Sequence, residues 1–183
     1  ASRAYIPESI WNKIKDNLVT TVANIKMGAP EDFSNFMSAV IDERAFTKIT
    51  QFIEHAKQAP DAEIICGGEA DSSAGYFIRP TIIKTTNPHY KSMCEEAFGP
   101  VLTIYVYKDS NYKETLDLCD STSPYGLTGA IFAQDRTAIH EMTQALTYSA
   151  GNFYVNDKPT GAVVGQQPFG GSRKSGTNDK AGS

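Results

Sequence analysis

Within residues 95–101, E-E-A-F-G-P-V, a carboxylate stands two residues ahead of an aromatic, and Gly99-Pro100 leads into an apolar run. That order of groups suits a ribose-bearing ring. The carboxylate accepts hydrogen bonds from two adjacent hydroxyls, the aromatic packs on the flat ring, and Gly-Pro fixes the backbone. The same residues also read as an acidic helix end closed by a turn, and local chemistry alone leaves both readings open.

Three further segments could carry chemistry. Residues 125–135, Y-G-L-T-G-A-I-F-A-Q-D, read as a turn feeding a buried strand, and residues 151–156, G-N-F-Y-V-N, as a helix stop followed by a strand with alternating polar residues. Residues 160–180 are rich in glycine, yet they contain no G-x-x-x-x-G-K-[ST], and no G-x-G-x-x-G opens a helix. A loop offering backbone N–H groups to an anionic ligand is the physically sensible reading of that stretch.

Cys66, Cys94 and Cys119 are odd in number, widely spaced and form no C-x-x-C pair, which argues against a disulfide framework and for a reducing compartment. Cys94 adjoins Glu95 and Glu96, whereas reactive cysteines sit in electropositive surroundings. Cys66 follows two isoleucines and reads as a small buried hydrophobe, and Cys119 falls on a short helix. None of the three is read as a nucleophile. His55, His89 and His140 lie far apart and share no ligand spacing with the cysteines, so no metal is expected.

The elements that must position these groups follow from periodicity. Residues 9–25 place Ile10, Ile14, Leu18, Val22 and Ile25 on one helical stripe, with Trp11 and Val19 beside it, and Gly28 and Pro30 stop the helix. Asp42 caps a second helix running toward Gln58, with Phe46, Ile49, Phe52, Ile53 and Ala56 inward. Strands are expected at residues 63–66, 76–78, 81–83, 101–107, 129–132 and 152–155, with a turn at Gly67-Gly68. Helices are expected at residues 112–120 and 137–150, the latter capped by Asp135 and ended by Gly151. Strands alternating with helices indicate an α/β layer with some parallel pairing. No internal repeat and no dividing linker is evident, and from Lys158 onward the amphipathic period disappears.

The chain has 183 residues, 40% hydrophobic and 21% charged, enough for an ordinary core. A net charge of -4 with scattered Lys and Arg offers no footprint for nucleic acid or a membrane surface. No apolar run is long enough to span a bilayer, and residues 1–10 do not form a secretory signal. The first residue is Ala, so a processed chain, or a piece of a longer one, is expected.

In this order and at these separations, the four segments resemble the aldehyde dehydrogenase superfamily over essentially the whole chain. S-R-A-Y-I-P from Ser2 is similar to the stretch that follows the catalytic cysteine there. F-M-S-A-V-I-D (36–42), A-G-N-F-Y-V-N-D-K (150–158), V-V-G-Q-Q-P-F-G-G (163–171) and S-G-T-N-D-K (175–180) are similar to the subfamily of Δ1-pyrroline-5-carboxylate dehydrogenases in particular.

The resemblance implies an incomplete three-layer α/β catalytic domain covering residues 1–183, of which 158–183 form a substrate-anchor loop and C-terminal extension. It implies that Glu96 binds the nicotinamide ribose of NAD and that Phe98 packs beside the nicotinamide. Gly161 and Ala162 anchor the substrate's α-carboxylate through backbone N–H groups, and Phe169 walls the aldehyde's path. Ala162 stands where this subfamily often has Ser, so one hydrogen bond to the carboxylate is lost or supplied by water. The implied reaction is NAD-dependent oxidation of glutamate γ-semialdehyde to glutamate in proline breakdown. A thiolate attacks the aldehyde, hydride leaves to NAD, and water releases the acid. The nucleophilic cysteine is expected about three residues before Ala1 and the Rossmann-like domain further upstream, so the segment alone is expected to be inactive. A homo-oligomer built on dimers is implied, in the mitochondrial matrix of a eukaryote or the cytoplasm of a bacterium. Two alternatives stand: a dehydrogenase for a different semialdehyde, and a truncated non-catalytic paralogue.

Overall fold

The computed structural model describes residues 1–160, 166–177 and 179 and divides into two units, Ser2–Ser110 and Asn111–Ser183. No Pro- or Gly-rich linker marks that division in the sequence. The chain crosses it through one turn of 3-10 helix, Asp109–Asn111.

In the first unit the chain runs β1 (Arg3–Pro7), α1 (Glu8–Ala23), α2 (Glu43–Gln58), β2 (Ala62–Cys66), β3 (Ala70–Asp71), β4 (Phe77–Ile78), β5 (Thr81–Thr85), the one-turn α3 (Lys91–Cys94) and β6 (Val101–Tyr107). Four strands form a sheet in the order β1-β6-β5-β2. β6 lies parallel to both its neighbours, and β2 is antiparallel at one edge. Strand alternation sends Ile82, Leu102 and Ile104 to the face under α1, and Ile83, Val101 and Tyr105 to the face under α2. The unit is therefore three layers, helix on sheet on helix, of the expected α/β class. β3 and β4 pair as a small antiparallel ribbon beside it.

The second helix forms where its pattern places it. Asp42 accepts a hydrogen bond from the Ala45 N–H at 2.7 Å, and Ile49, Phe52, Ile53 and Ala56 are buried. The first helix differs from expectation in its face. Trp11 is buried against Ile82 and Ile104 with Leu18 and Val22 beside it, while Ile10 and Ile14 are exposed. The largest apolar side chain dominates the burial free energy, so the helix seats on Trp11, which turns Ile10 and Ile14 outward and keeps Leu18 and Val22 of the expected stripe against the sheet. β1 was not expected at all. Its partner β6 lies a hundred residues on, and a short edge strand ending in Pro7 carries little local signal.

The second unit contains α4 (Tyr112–Ser121), β7 (Tyr125–Gly126), β8 (Thr128–Ile131), α5 (Arg136–Ala145), β9 (Asn152–Val155) and β10 (Ser172–Arg173). β8 and β9 pair in parallel with α5 as the connection between them, and β7 pairs antiparallel with β10. Asp135 caps α5, accepting from the Thr137 and Ala138 N–H groups. The helix does not run to Ala150. It ends at Ala145, because Thr147 turns its hydroxyl onto the Thr143 and Gln144 carbonyls and Ser149 turns its own onto Leu146. Such hydroxyls compete for the carbonyls of a last turn and loosen it. Gly151 is thus no helix stop: a Cβ there would lie 2.0 Å from the Gly170 carbonyl oxygen, so glycine is required by close approach.

Candidate functional site

In the first unit, α2 builds the turn at residues 95–100 from two sides. Ile49, fully buried, packs so tightly under Gly99 that a Cβ there would lie 2.3 Å from its Cδ1. Lys48, one residue earlier, donates from Nζ to the Glu96 carbonyl oxygen at 2.7 Å. α3 enters the turn with Met93 and Ser92 buried, and the Ser92 and Thr103 hydroxyls lie 2.6 Å apart, tying α3 to β6. The Thr81 N–H donates to the Pro100 carbonyl at 2.8 Å and registers the turn's far end against β5.

With Ala97 buried in the α2 core and Gly99 pinned on Ile49, the residue between them is forced outward. Phe98 sits at φ 57, a left-handed conformation that a bulky side chain rarely adopts, and its side chain is 79% exposed. Such strain persists where the surrounding structure over-determines it, as Ala97 and Gly99 do here. The Lys48 ammonium stands 5.8 Å from the Phe98 ring centroid and 6.0 Å from that of Phe52, within cation–π range.

Glu96 is exposed beside this ring. Its Oε1 accepts from the Ser2 hydroxyl at 3.3 Å, and among the described residues Oε2 has no partner and no cation forms an ion pair with the carboxylate. An ionised carboxylate has about four acceptor positions, so most of its capacity is open to a ligand's hydroxyls. Glu96 and Phe98 stand side by side on this turn, both exposed. Lys48 and Ser2 join them, and neither was expected: one is a lysine on an amphipathic helix, the other a serine 94 residues from its partner.

Behind α3, Tyr90 is buried with its hydroxyl 2.8 Å from His55 Nδ1. Burial, with the Asp61 charge adding to it, pushes the Tyr90 phenol up to about 12, so it stays neutral near pH 7. The Cys94 thiol donates to the His89 carbonyl at 3.5 Å, and Cys66 approaches the Val19 carbonyl at 3.8 Å.

Gly161 and Ala162 lie outside the described residues. Phe169, in the second unit, is half-buried between Pro168 and Gly170, and the Asn152 side chain bonds to the backbone of both. Asn152 was not expected as a site residue. Its one signal is a polar side chain at the first position of an otherwise apolar strand.

The sequence model of the aldehyde dehydrogenase family matches residues 1–183. Over 182 residues the chain is 66% identical to the mitochondrial delta-1-pyrroline-5-carboxylate dehydrogenase of Dictyostelium discoideum, covering 100% of this chain and 33% of that protein. It is 56% identical over 182 residues to the enzyme of the same name from Danio rerio, covering 99% and 33% respectively. The crystal structure of the Mycobacterium tuberculosis delta-pyrroline-5-carboxylate dehydrogenase bound with NAD is similar at a TM-score of 0.90 and 49% identity, covering 100% of this chain and 33% of that one. The chain thus spans about a third of the length of the relatives it matches.

Proposed function

This chain belongs to the aldehyde dehydrogenase family, and from that premise we propose that the whole protein oxidises glutamate γ-semialdehyde, the open form of Δ1-pyrroline-5-carboxylate, to glutamate with NAD. The observation that carries the proposal is the 66% identity to a relative of that name, extending over the full chain, including the segments that hold Glu96, Phe98 and Phe169. The turn at residues 95–100 supports the cofactor half of the reading. Glu96 offers an exposed carboxylate with an oxygen that is unpartnered among the described residues, and Phe98 an exposed ring that the backbone holds outward.

NAD, when bound, accepts the hydride removed from the substrate carbon. This chain's residues orient it. Glu96 receives the ribose hydroxyls, Phe98 sets the plane beside the nicotinamide, and Lys48 fixes the Glu96 backbone so that the carboxylate is placed before the cofactor arrives. Phe169 walls the aldehyde's path, and Gly161 and Ala162 take the substrate's α-carboxylate. The attacking thiolate is assigned to a cysteine preceding Ala1, in keeping with the thiols of Cys66 and Cys94 being turned toward backbone carbonyls. A mitochondrial location accords with the names of the eukaryotic relatives, and a dimer-based assembly belongs to the same reading.

The test is steady-state oxidation by the full-length protein with NAD, comparing glutamate semialdehyde with succinate semialdehyde. Only the former supplies an α-amino acid group, and the expected kcat/KM preference for it is on the order of tenfold or more. Ala162, lacking the hydroxyl often found at its position, favours a second reading, oxidation of a semialdehyde with a single carboxylate. Equal or better use of succinate semialdehyde would establish that reading instead.

A further inference from the structure

β9 and the glycine before it meet residues 167–171 at three points. Gly151 approaches the Gly170 carbonyl too closely for any Cβ. Asn152, only 8% exposed, donates from Nδ2 to the Pro168 carbonyl oxygen at 2.9 Å and accepts at Oδ1 from the Gly170 N–H at 3.1 Å. The Tyr154 hydroxyl accepts from Gln167 Nε2 at 3.0 Å. β9 is itself held in place: the Gly151 and Asn152 N–H groups donate to the Gly126 and Leu127 carbonyls at 2.9 and 3.0 Å, and the strand pairs in register with β8.

We infer that Asn152 is the positioning residue of Phe169: it touches neither reactant, sets where that ring stands, and so governs the handling of the aldehyde rather than of NAD. The inference rests on the reading of Phe169 as the wall of the aldehyde's path. A side-chain amide donates and accepts from one plane, which matches a carbonyl and an N–H lying two residues apart along the chain. Both of its bonds here go to the residues flanking Phe169, which fixes that ring's backbone from each side. Alanine would remove both bonds. Ionised aspartate would keep the acceptor but set a carboxylate oxygen against the Pro168 carbonyl. Protonated aspartate would restore donor and acceptor together, and burial favours that neutral form.

The experiment uses the full-length enzyme with Asn152→Ala, Asn152→Asp, Phe169→Ala and the double variant Asn152→Ala/Phe169→Ala. Asn152→Ala is expected to raise the aldehyde KM about tenfold and to leave the NAD KM unchanged. In the double variant the aldehyde KM should be no higher than in Phe169→Ala alone, because Asn152 acts through that ring. For Asn152→Asp, the aldehyde KM relative to wild type should fall toward unity as the pH is lowered, a recovery that a general loss of folding would not produce. Additive effects in the double variant overturn the inference. So does a parallel rise in both KM values, or failure of both Asn152 variants to fold, since either makes Asn152 a structural residue only. If the wild type oxidises other aldehydes but not glutamate semialdehyde, the proposed substrate is wrong, and the coupling of Asn152 to Phe169 is measured with the aldehyde that is oxidised.

Discussion

At the scale of single residues, Phe98 is held at a backbone angle its own type disfavours, with its ring mostly in solvent. A side chain that packs on so little adds little to stability, and the left-handed conformation costs about 1 kcal/mol or more. Phe98→Gly relieves that strain, while the freer unfolded chain offsets about 0.4–1 kcal/mol of the gain. In the full-length enzyme this substitution should therefore leave the unfolding free energy within about 0.5 kcal/mol while raising the NAD KM about fivefold. Denaturant unfolding and steady-state kinetics on one preparation check it. A stability loss above about 2 kcal/mol would make the ring a packing element. Glu96 and Phe98 could be singled out in the sequence because carboxylate, aromatic and Gly-Pro are contiguous, although only the family resemblance favoured a cofactor role over an acidic helix end closed by a turn. Lys48, Ser2 and Asn152 were not, because each acts on a partner distant in sequence and nothing in its own neighbourhood separates it from an ordinary surface or strand residue.

At the scale of elements, the helices and central strands were legible wherever periodicity and a cap coincide, as in α2 with Asp42 or α5 with Asp135. Legibility failed where the deciding contact is remote. β1 exists because β6 accepts it, and α1 turns on Trp11 because Ile82 and Ile104 lie beneath. α1 also takes its cap from outside. Pro7 supplies no side-chain bond, and Asp109 instead accepts from the Ser9 N–H at 3.0 Å and from the Ser9 hydroxyl. Those two bonds, hydroxyl first, with Lys13 adding a little, hold the Asp109 carboxyl below its ordinary value. A pKa depressed in the folded state contributes stability that is complete above the unfolded value and is lost as pH falls through the folded one. Asp109→Asn should accordingly lower the unfolding temperature at neutral pH, and the gap to wild type should close as the pH drops below about 4. A gap that stays constant across that range would show that Asp109 does not serve α1 through its charge.

At the scale of the whole molecule, the proposed function gives NAD to Glu96 and Phe98, which lie in Ser2–Ser110, and the aldehyde to Phe169, which lies in Asn111–Ser183. The division between the units was not legible, because the crossing at Asp109–Asn111 carries no linker composition. The family was legible, because its four segments keep their order along the chain. The assignment of reactants is tested most directly by the KM values for NAD and for glutamate semialdehyde in full-length Glu96→Ala and Phe169→Ala. Glu96→Ala should raise the NAD KM by at least about tenfold and leave the aldehyde KM near wild type, and Phe169→Ala should do the reverse. If both substitutions move the same constant, or Glu96→Ala leaves the NAD KM unchanged, the central claim is contradicted.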